Sequence, residues 1–242
     1  MRPKRFGQRV SSNLQPEQRL AADRAHDRGK SGMKFDLHIH TSRHSPDSLI
    51  DPSALVQRAM ELGLDGIVIT EHDWLWTEQE LQELRAIAPG LVVLAGIEVT
   101  AKEGHFLTYG VRDPFKLPRG IGVADLCREV HRQEGAVAAA HPFRWGQPFD
   151  RILEQEMPDL DGLELMTNNM DEVLRHLAAG IFQERSLCGL GSSYAHHIDT
   201  VGVCYTDFSA VIRSNRDLVQ AIRNRRGVAR ERVRGEGVRD EG

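Results

Sequence analysis

Lys34-Phe35-Asp36-Leu37-His38-Ile39-His40 is an extended run in which polar and apolar residues alternate. A period of two puts Asp36, His38 and His40 on one face of a strand. Phe35, Leu37 and Ile39 take the other, where a core accepts them. Two imidazoles two residues apart on a rigid strand make a natural metal chelate, with Asp36 placed to orient one of them. A pair of surface histidines on an edge strand gives the same pattern, and the other strand ends discriminate between the two.

Further extended runs fall at 66–70, 91–100, 105–111, 136–140, 162–166, 187–191 and 201–205. Helical patterns fill most of the gaps, at 52–62, 77–88, 122–134, 170–184 and 215–225. Asp51 suits an N-cap, Pro52 the first helical position, and Gly63 the stop. Strand–helix alternation with apolar strands predicts an α/β domain built on a parallel sheet. No G-x-G-x-x-G follows the first strand and no Walker-type phosphate loop occurs, which argues against a nucleotide-binding open sheet. Histidine follows the strands instead. His72 comes after 66–70, Glu98 ends the run at 91–97, His105 opens 105–111, His141 follows 136–140 and His196 follows 191–195. Six of the eleven histidines therefore flank strands, mostly at their C-terminal ends. In a β/α barrel those ends ring one mouth, so the pattern predicts a polynuclear metal centre there.

Composition narrows the class further. The net charge of −4 is unevenly spread: residues 1–32 carry +5, residues 213–242 carry +4, and the body between carries −13. So acidic a body repels polyphosphate backbones unless cations intervene; nucleic acid stays open as a partner, most of all for the basic ends, but the body does not indicate it. The basic ends read as solvated tails: a disordered extension over 1–32 and a flexible tail over 227–242, flanking one domain at 33–226. The longest apolar runs are too short to span a bilayer. Residues 1–33 lack the apolar stretch of a secretory signal. Three cysteines without a CxxC pair form no disulfide framework, and Cys127, Cys188 and Cys204 read as small core residues. These features together predict a cytoplasmic protein.

Taken together, the motifs resemble the PHP (polymerase and histidinol phosphatase) family. Asp36-Leu37-His38-Ile39-His40-Thr41, followed by Ser45-Pro46-Asp47-Ser48, is similar to its first motif. Ile69-Thr70-Glu71-His72-Asp73 is similar to the second, with Glu71 where the family has Asp. Gly96-Ile97-Glu98-Val99-Thr100 with His105, then Ala140-His141-Pro142, resemble the next two. Gly191-Ser192-Ser193-Tyr194-Ala195-His196 resembles the last. The resemblance implies a distorted seven-stranded β/α (TIM-like) barrel with two or three divalent ions (Zn, Mn or Fe) in its mouth. It implies one site from His38, His40 and Glu98, and a second from Asp47, His72 and His196. A third would share Glu98 and add His105 and His141. His44 is the rival of Asp47 in the same short loop.

Tyr194 stands where the family's last motif carries Asp, and a neutral phenol is a poor ligand for such ions. Three outcomes stay open: a weakly held ion, Asp199 reaching in, or reduced activity. The expected function is metal-dependent hydrolysis of a small phosphate ester by a metal-activated hydroxide, with Glu98, His196 and Arg144 as the catalytic group. Arg144, three residues after His141, would fork onto substrate phosphate. Glu164, on the run 162–166, would select substrate or serve a buried hydrogen bond. Trp74 and Trp76 would pack against the next helix, wall the pocket or stack on a base. The rival readings are a catalytically impaired module that keeps the cluster for structure or regulation, and hydrolysis of a C–N bond. The absence of a strand-end lysine weighs against the latter.

Overall fold

Each expected strand forms, its boundaries displaced by at most three residues, in a computed structural model that describes residues 32–232. The extension expected over 1–32 lies, Gly32 apart, outside the described residues, as do 233–242. The strands are β1 (Met33–Ile39), β2 (Gly66–His72), β3 (Val92–Thr100), β4 (His105–Tyr109), β5 (Ala136–Ala139), β6 (Gly162–Met166), β7 (Cys188–Gly191), β8 (Cys204–Phe208) and β9 (Gly227–Glu231). They form one sheet in the order β7-β6-β5-β4-β3-β2-β1-β8-β9. Around it lie α1 (Pro52–Glu61), α2 (Glu78–Ile87), α3 (Val123–Arg132), α4 (Phe149–Gln155), α5 (Glu172–Glu184) and α6 (Asn215–Arg223). Asp51 caps α1 as expected, accepting from the amides of Ser53 and Ala54.

The sheet curls until its ends approach. Gly191 N donates to Thr206 Oγ1 at 3.0 Å, and beyond β7 the amide of His40 reaches the carbonyl of Ala195. A Cβ at Gly191 would stand 2.5 Å from the Tyr205 carbonyl oxygen, so only glycine permits this closure. The barrel is nearly closed, with nine strands among the described residues against the seven that the resemblance implied.

Three expectations need correction. The sheet is mixed, not parallel: β4 runs antiparallel to β3 and β5, and β8 antiparallel to β1. The β3–β4 connection is too short to cross over, so the chain turns back and leaves His105 at the same end as Glu98. Residues 227–231 are not a flexible tail. They pair with β8 from Gly227–Phe208 to Glu231–Cys204, and Arg175 forks onto Glu231 at 3.0 and 3.2 Å. The side chains of β9 are half-buried or exposed, so no apolar run announces it, and backbone pairing holds it in place.

The third correction concerns β1. Asp36 pairs with Ile67 but Ile39 pairs with Ile69, so β1 holds one extra residue between them. That bulge breaks the alternation. Phe35 and Leu37 join Val68, Leu107 and Tyr109 in one core cluster, while Ile39 joins Ile67, Ile69 and the helices α1 and α2 in another. Asp36 therefore does not share a face with His38 and His40. Its carboxylate accepts from the amides of Ser193 and Gly202, both at 2.9 Å, anchoring the β7–β8 connection. Burial pushes Asp36 up to about 6 against those hydrogen bonds.

Apolar residues plug the barrel beneath the mouth, and α6 contributes Leu218, Val219 and Ile222 to the same cluster. Burial of each such side chain contributes roughly 1.5–3 kcal/mol. The plug leaves one end for polar chemistry. Among the described residues no helix is long and apolar enough to cross a membrane.

Candidate metal centre

Five imidazoles converge on one carboxylate. Glu98 points into the mouth from β3 and is completely buried. Its Oε1 lies 2.9 Å from His105 Nδ1 and 3.1 Å from His141 Nε2. Its Oε2 lies 2.9 Å from His72 Nδ1, 3.2 Å from His40 Nε2 and 3.4 Å from His38 Nε2. At the rim Asp47 Oδ2 stands 3.1 Å from His72 Nε2 and 3.2 Å from His196 Nε2. Every residue expected as a ligand is brought to this one place. Three groups have donor atoms close enough to share an ion: His40, His72 and His196; His38, His40 and Glu98; and Glu98, His105 and His141. His44, the rival of Asp47, pairs with Glu80 at 2.8 Å and stacks on Trp74.

The donor set fits divalent cations. Oε2 of Glu98 and Nε2 of His196 are buried without a hydrogen-bond partner, although nitrogens or oxygens crowd both. Such atoms are costly unless a cation satisfies them. Mixed imidazole and carboxylate donors suit Zn, Mn or Fe. Burial drives His40 down to about 3 despite Glu98 beside it, and it also lowers His196. Both are therefore neutral, as a ligand must be. His38 behaves otherwise. Burial would lower it, but the charges of Glu98 and Glu164 raise it to about 10. Glu98 itself is held well below the usual carboxylate range, as His38, His105 and His141 outweigh its burial.

Two carboxylates brace the centre from behind. Glu164 on β6 lies 3.0 Å from His38 Nδ1, accepts the His141 amide at 2.6 Å and also accepts from Ser192. A proton held between His38 Nδ1 and Glu164 leaves Nε2 to face Glu98. This decides between the two readings of Glu164 in favour of a buried hydrogen-bonding role. Its signal in the sequence is a lone acid between Leu163 and Leu165. Glu71 is also buried and accepts from Thr41, Ser45 and Trp76, tying the β1–α1 loop to β2. Trp76 is thus a core residue, while Trp74 covers His44. Glu164→Gln is expected to weaken metal affinity about 10- to 100-fold, the usual effect of losing a carboxylate behind a ligand histidine. Titration of metal-free protein with Mn²⁺, read by calorimetry, checks this; unchanged affinity would remove Glu164 from the centre.

Tyr194 occupies the heart of the mouth in a left-handed conformation, φ +50°. Its ring meets those of His38, His141 and His196 at centroid distances of 4.8, 5.0 and 4.6 Å. Burial pushes its phenol up to about 12, so it stays neutral at ordinary pH. Asp199 does not reach in: it is exposed in the single turn Ile198–Thr200 and joins none of the three groups. Arg144 lies over the Tyr194 ring at 4.9 Å and over Trp145 at 4.0 Å. Trp145, which sequence reasoning passed over, packs with its ring steeply inclined to those of His105 and His141, at 80° and 70°.

Comparison with known proteins agrees with this geometry. A PHP-associated family matches residues 174–226. An uncharacterised protein of Methanocaldococcus jannaschii is 27% identical over 161 residues, covering 60% of this chain and 89% of that one. Three solved structures share the fold at low identity. PsfC from Pseudomonas syringae superposes with a TM-score of 0.62 at 18% identity, covering 84% of this chain and 93% of the other. A Bifidobacterium adolescentis protein assigned as a metal-dependent phosphoesterase gives 0.54 at 17%, covering 67% and 87%. The lesion-specific endonuclease PfuEndoQ of Pyrococcus furiosus gives 0.58 at 16%, covering 79% of this chain and 56% of its own. With its strand-end motifs gathered in one barrel mouth, the chain shares the fold of these proteins and matches the PHP-associated family over residues 174–226.

Proposed function

We propose that the protein is a metal-dependent phosphoesterase acting on a small phosphate ester. The observation that carries the reading is the meeting of three donor groups in one mouth, two of them sharing Glu98, with an arginine beside them. The phosphoesterase and endonuclease that share the fold support hydrolysis at phosphorus. Divalent ions held by the three groups would acidify water and neutralise phosphate oxygens.

The protein's own residues divide the remaining work. Arg144, whose buried Nη1 lacks a hydrogen-bond partner, is placed to grip the non-bridging oxygens of the phosphoryl group. Glu98 and Glu164 fix the imidazoles so that little reorganises during reaction. His196 serves as a ligand: its Nδ1 lies 3.2 Å from the Tyr194 carbonyl, which holds the proton there and turns Nε2 to the site. The leaving oxygen takes its proton from solvent at the rim, where the Asp47 side chain is 51% exposed.

Phosphate release from p-nitrophenyl phosphate with added Mn²⁺, alongside elemental analysis, tests the reading; metal-loaded protein that releases none overturns it. Arg144→Ala is expected to raise KM about 10- to 100-fold, since a charge-assisted contact contributes about 1.5–3 kcal/mol. A fall in kcat at constant KM would place Arg144 on the transition state alone. One feature favours a second reading, a module keeping its ions for structure or regulation. Tyr194 fills the mouth with an aromatic ring where the family's motif has an acid.

A further inference from the structure

The loop from His141 to Pro148 holds an exposed indole against the metal centre by unusual means. His141, Phe143 and Trp145, none of them glycine, take positive φ of 29°, 67° and 55°. Side chains rarely adopt that region, and such strain collects where it positions a working group. Gln147 locks the loop, donating to the Glu103 carbonyl at 2.8 Å and accepting the Phe143 amide at 3.2 Å. The result is counter to ordinary burial: Trp145 is 71% exposed although its ring centroid lies 5.8 and 5.7 Å from those of His105 and His141. Arg144 covers one face of the indole at 4.0 Å. Trp145 also lines a cleft of about 240 Å³, together with His105, His141 and Gly104.

We infer that Trp145 is a stacking shelf for a planar heteroaromatic group, a nucleobase, on the substrate's leaving side; the inference rests on the phosphoesterase reading above. The polar groups along the cleft are already committed. Glu103 caps α3 by accepting the Val123 amide at 2.9 Å, and both ends of the Gln147 amide are spent in the loop. What remains is an aromatic face, which binds any base by stacking and reads none by hydrogen bonding. Arg144 behind the ring serves both ends of such a ligand, gripping phosphate and polarising the indole. The −13 charge of the body favours a single nucleotide over a polynucleotide backbone.

The test compares adenosine 5′-monophosphate with ribose 5-phosphate, which differ only in the base, on Mn²⁺-loaded protein. The wild type should favour the nucleotide in kcat/KM by roughly tenfold or more, as stacking on one ring allows. Adenosine should quench the indole emission. Trp145→Gly removes the ring at a φ that glycine adopts freely, so its melting temperature should hold or rise. In that variant the preference should fall toward one and the quenching should be lost with the indole, and Trp145→Phe, which keeps an aromatic face, should restore part of the preference. Equal kcat/KM for the two esters in the wild type overturns the shelf, as does quenching that survives in Trp145→Gly. Loss of quenching in Trp145→Gly without turnover of either ester supports the shelf and overturns the phosphoesterase reading. Absence of both turnover and quenching in the wild type overturns the two together.

Discussion

Glu98→Ala is expected to remove most of the bound metal and to bring phosphate release below detection. Glu98 belongs to two of the three donor groups, and each would be left with two imidazoles. The effect should exceed that of any single histidine, because the same carboxylate lies within 3.4 Å of five rings. It should also exceed the 10- to 100-fold loss typical of a group behind the ligands. Stability of the metal-free protein responds as well. His38, raised to about 10 by the two carboxylates beside it, carries a buried charge that Glu98 helps to balance. Breaking a buried ion pair from one side costs about 3–5 kcal/mol. His38 can shed part of that cost by releasing its proton, so the measured fall should lie toward the lower end. Glu98→Gln keeps the volume and removes the charge, and it separates lost packing from lost ligation. Elemental analysis and thermal melting of both variants give the answer. A Glu98→Ala protein with wild-type metal content would overturn the whole centre.

The sequence carried the donor set more plainly than the backbone that presents it. Every one of His38, His40, Asp47, His72, Glu98, His105, His141 and His196 reaches the mouth, because strand ends in a barrel meet whatever lies between them. Strand direction was not legible. The antiparallel β4 follows from a connection too short for a crossover, which apolar runs do not register. The bulge in β1 was invisible for a similar reason. Leu37 and His38 satisfy strict alternation on paper, and only the pairing of Asp36 with Ile67 and Ile39 with Ile69 shows the slip. The slip has a purpose: Asp36 turns to anchor Ser193 and Gly202, which position the segment carrying Tyr194 and His196. Strand β9 and Trp145 share another blind spot, since neither lies in an apolar period. One is held by backbone hydrogen bonds and the other by backbone strain.

Tyr194→Asp is expected to increase the number of ions bound per chain and to give equal or faster phosphate release. The substitution places an anionic oxygen donor beside His38 and His196, whose rings Tyr194 now contacts at 4.8 and 4.6 Å. The backbone should accept the change, because Asp tolerates the left-handed φ of +50° better than a bulky residue does. Packing opposes it. The phenol fills space among four imidazoles that a carboxylate would leave open, so without metal the variant should melt below the wild type. Added Mn²⁺ should reverse the order of the shifts, since an extra ion bound only by the folded state stabilises it by mass action. The variant should therefore show the lower melting temperature without metal and the larger rise with it. Arg144 would exchange a neutral ring for a carboxylate, and the resulting ion pair should raise KM even as ion occupancy improves. A variant that folds normally, binds no further ion and gains nothing from added Mn²⁺ would show that Tyr194 displaced no ligand. The native arrangement would then be two ions, one held by His40, His72 and His196 and the other by Glu98, His105 and His141, with the tyrosine ring as a wall between substrate and His38.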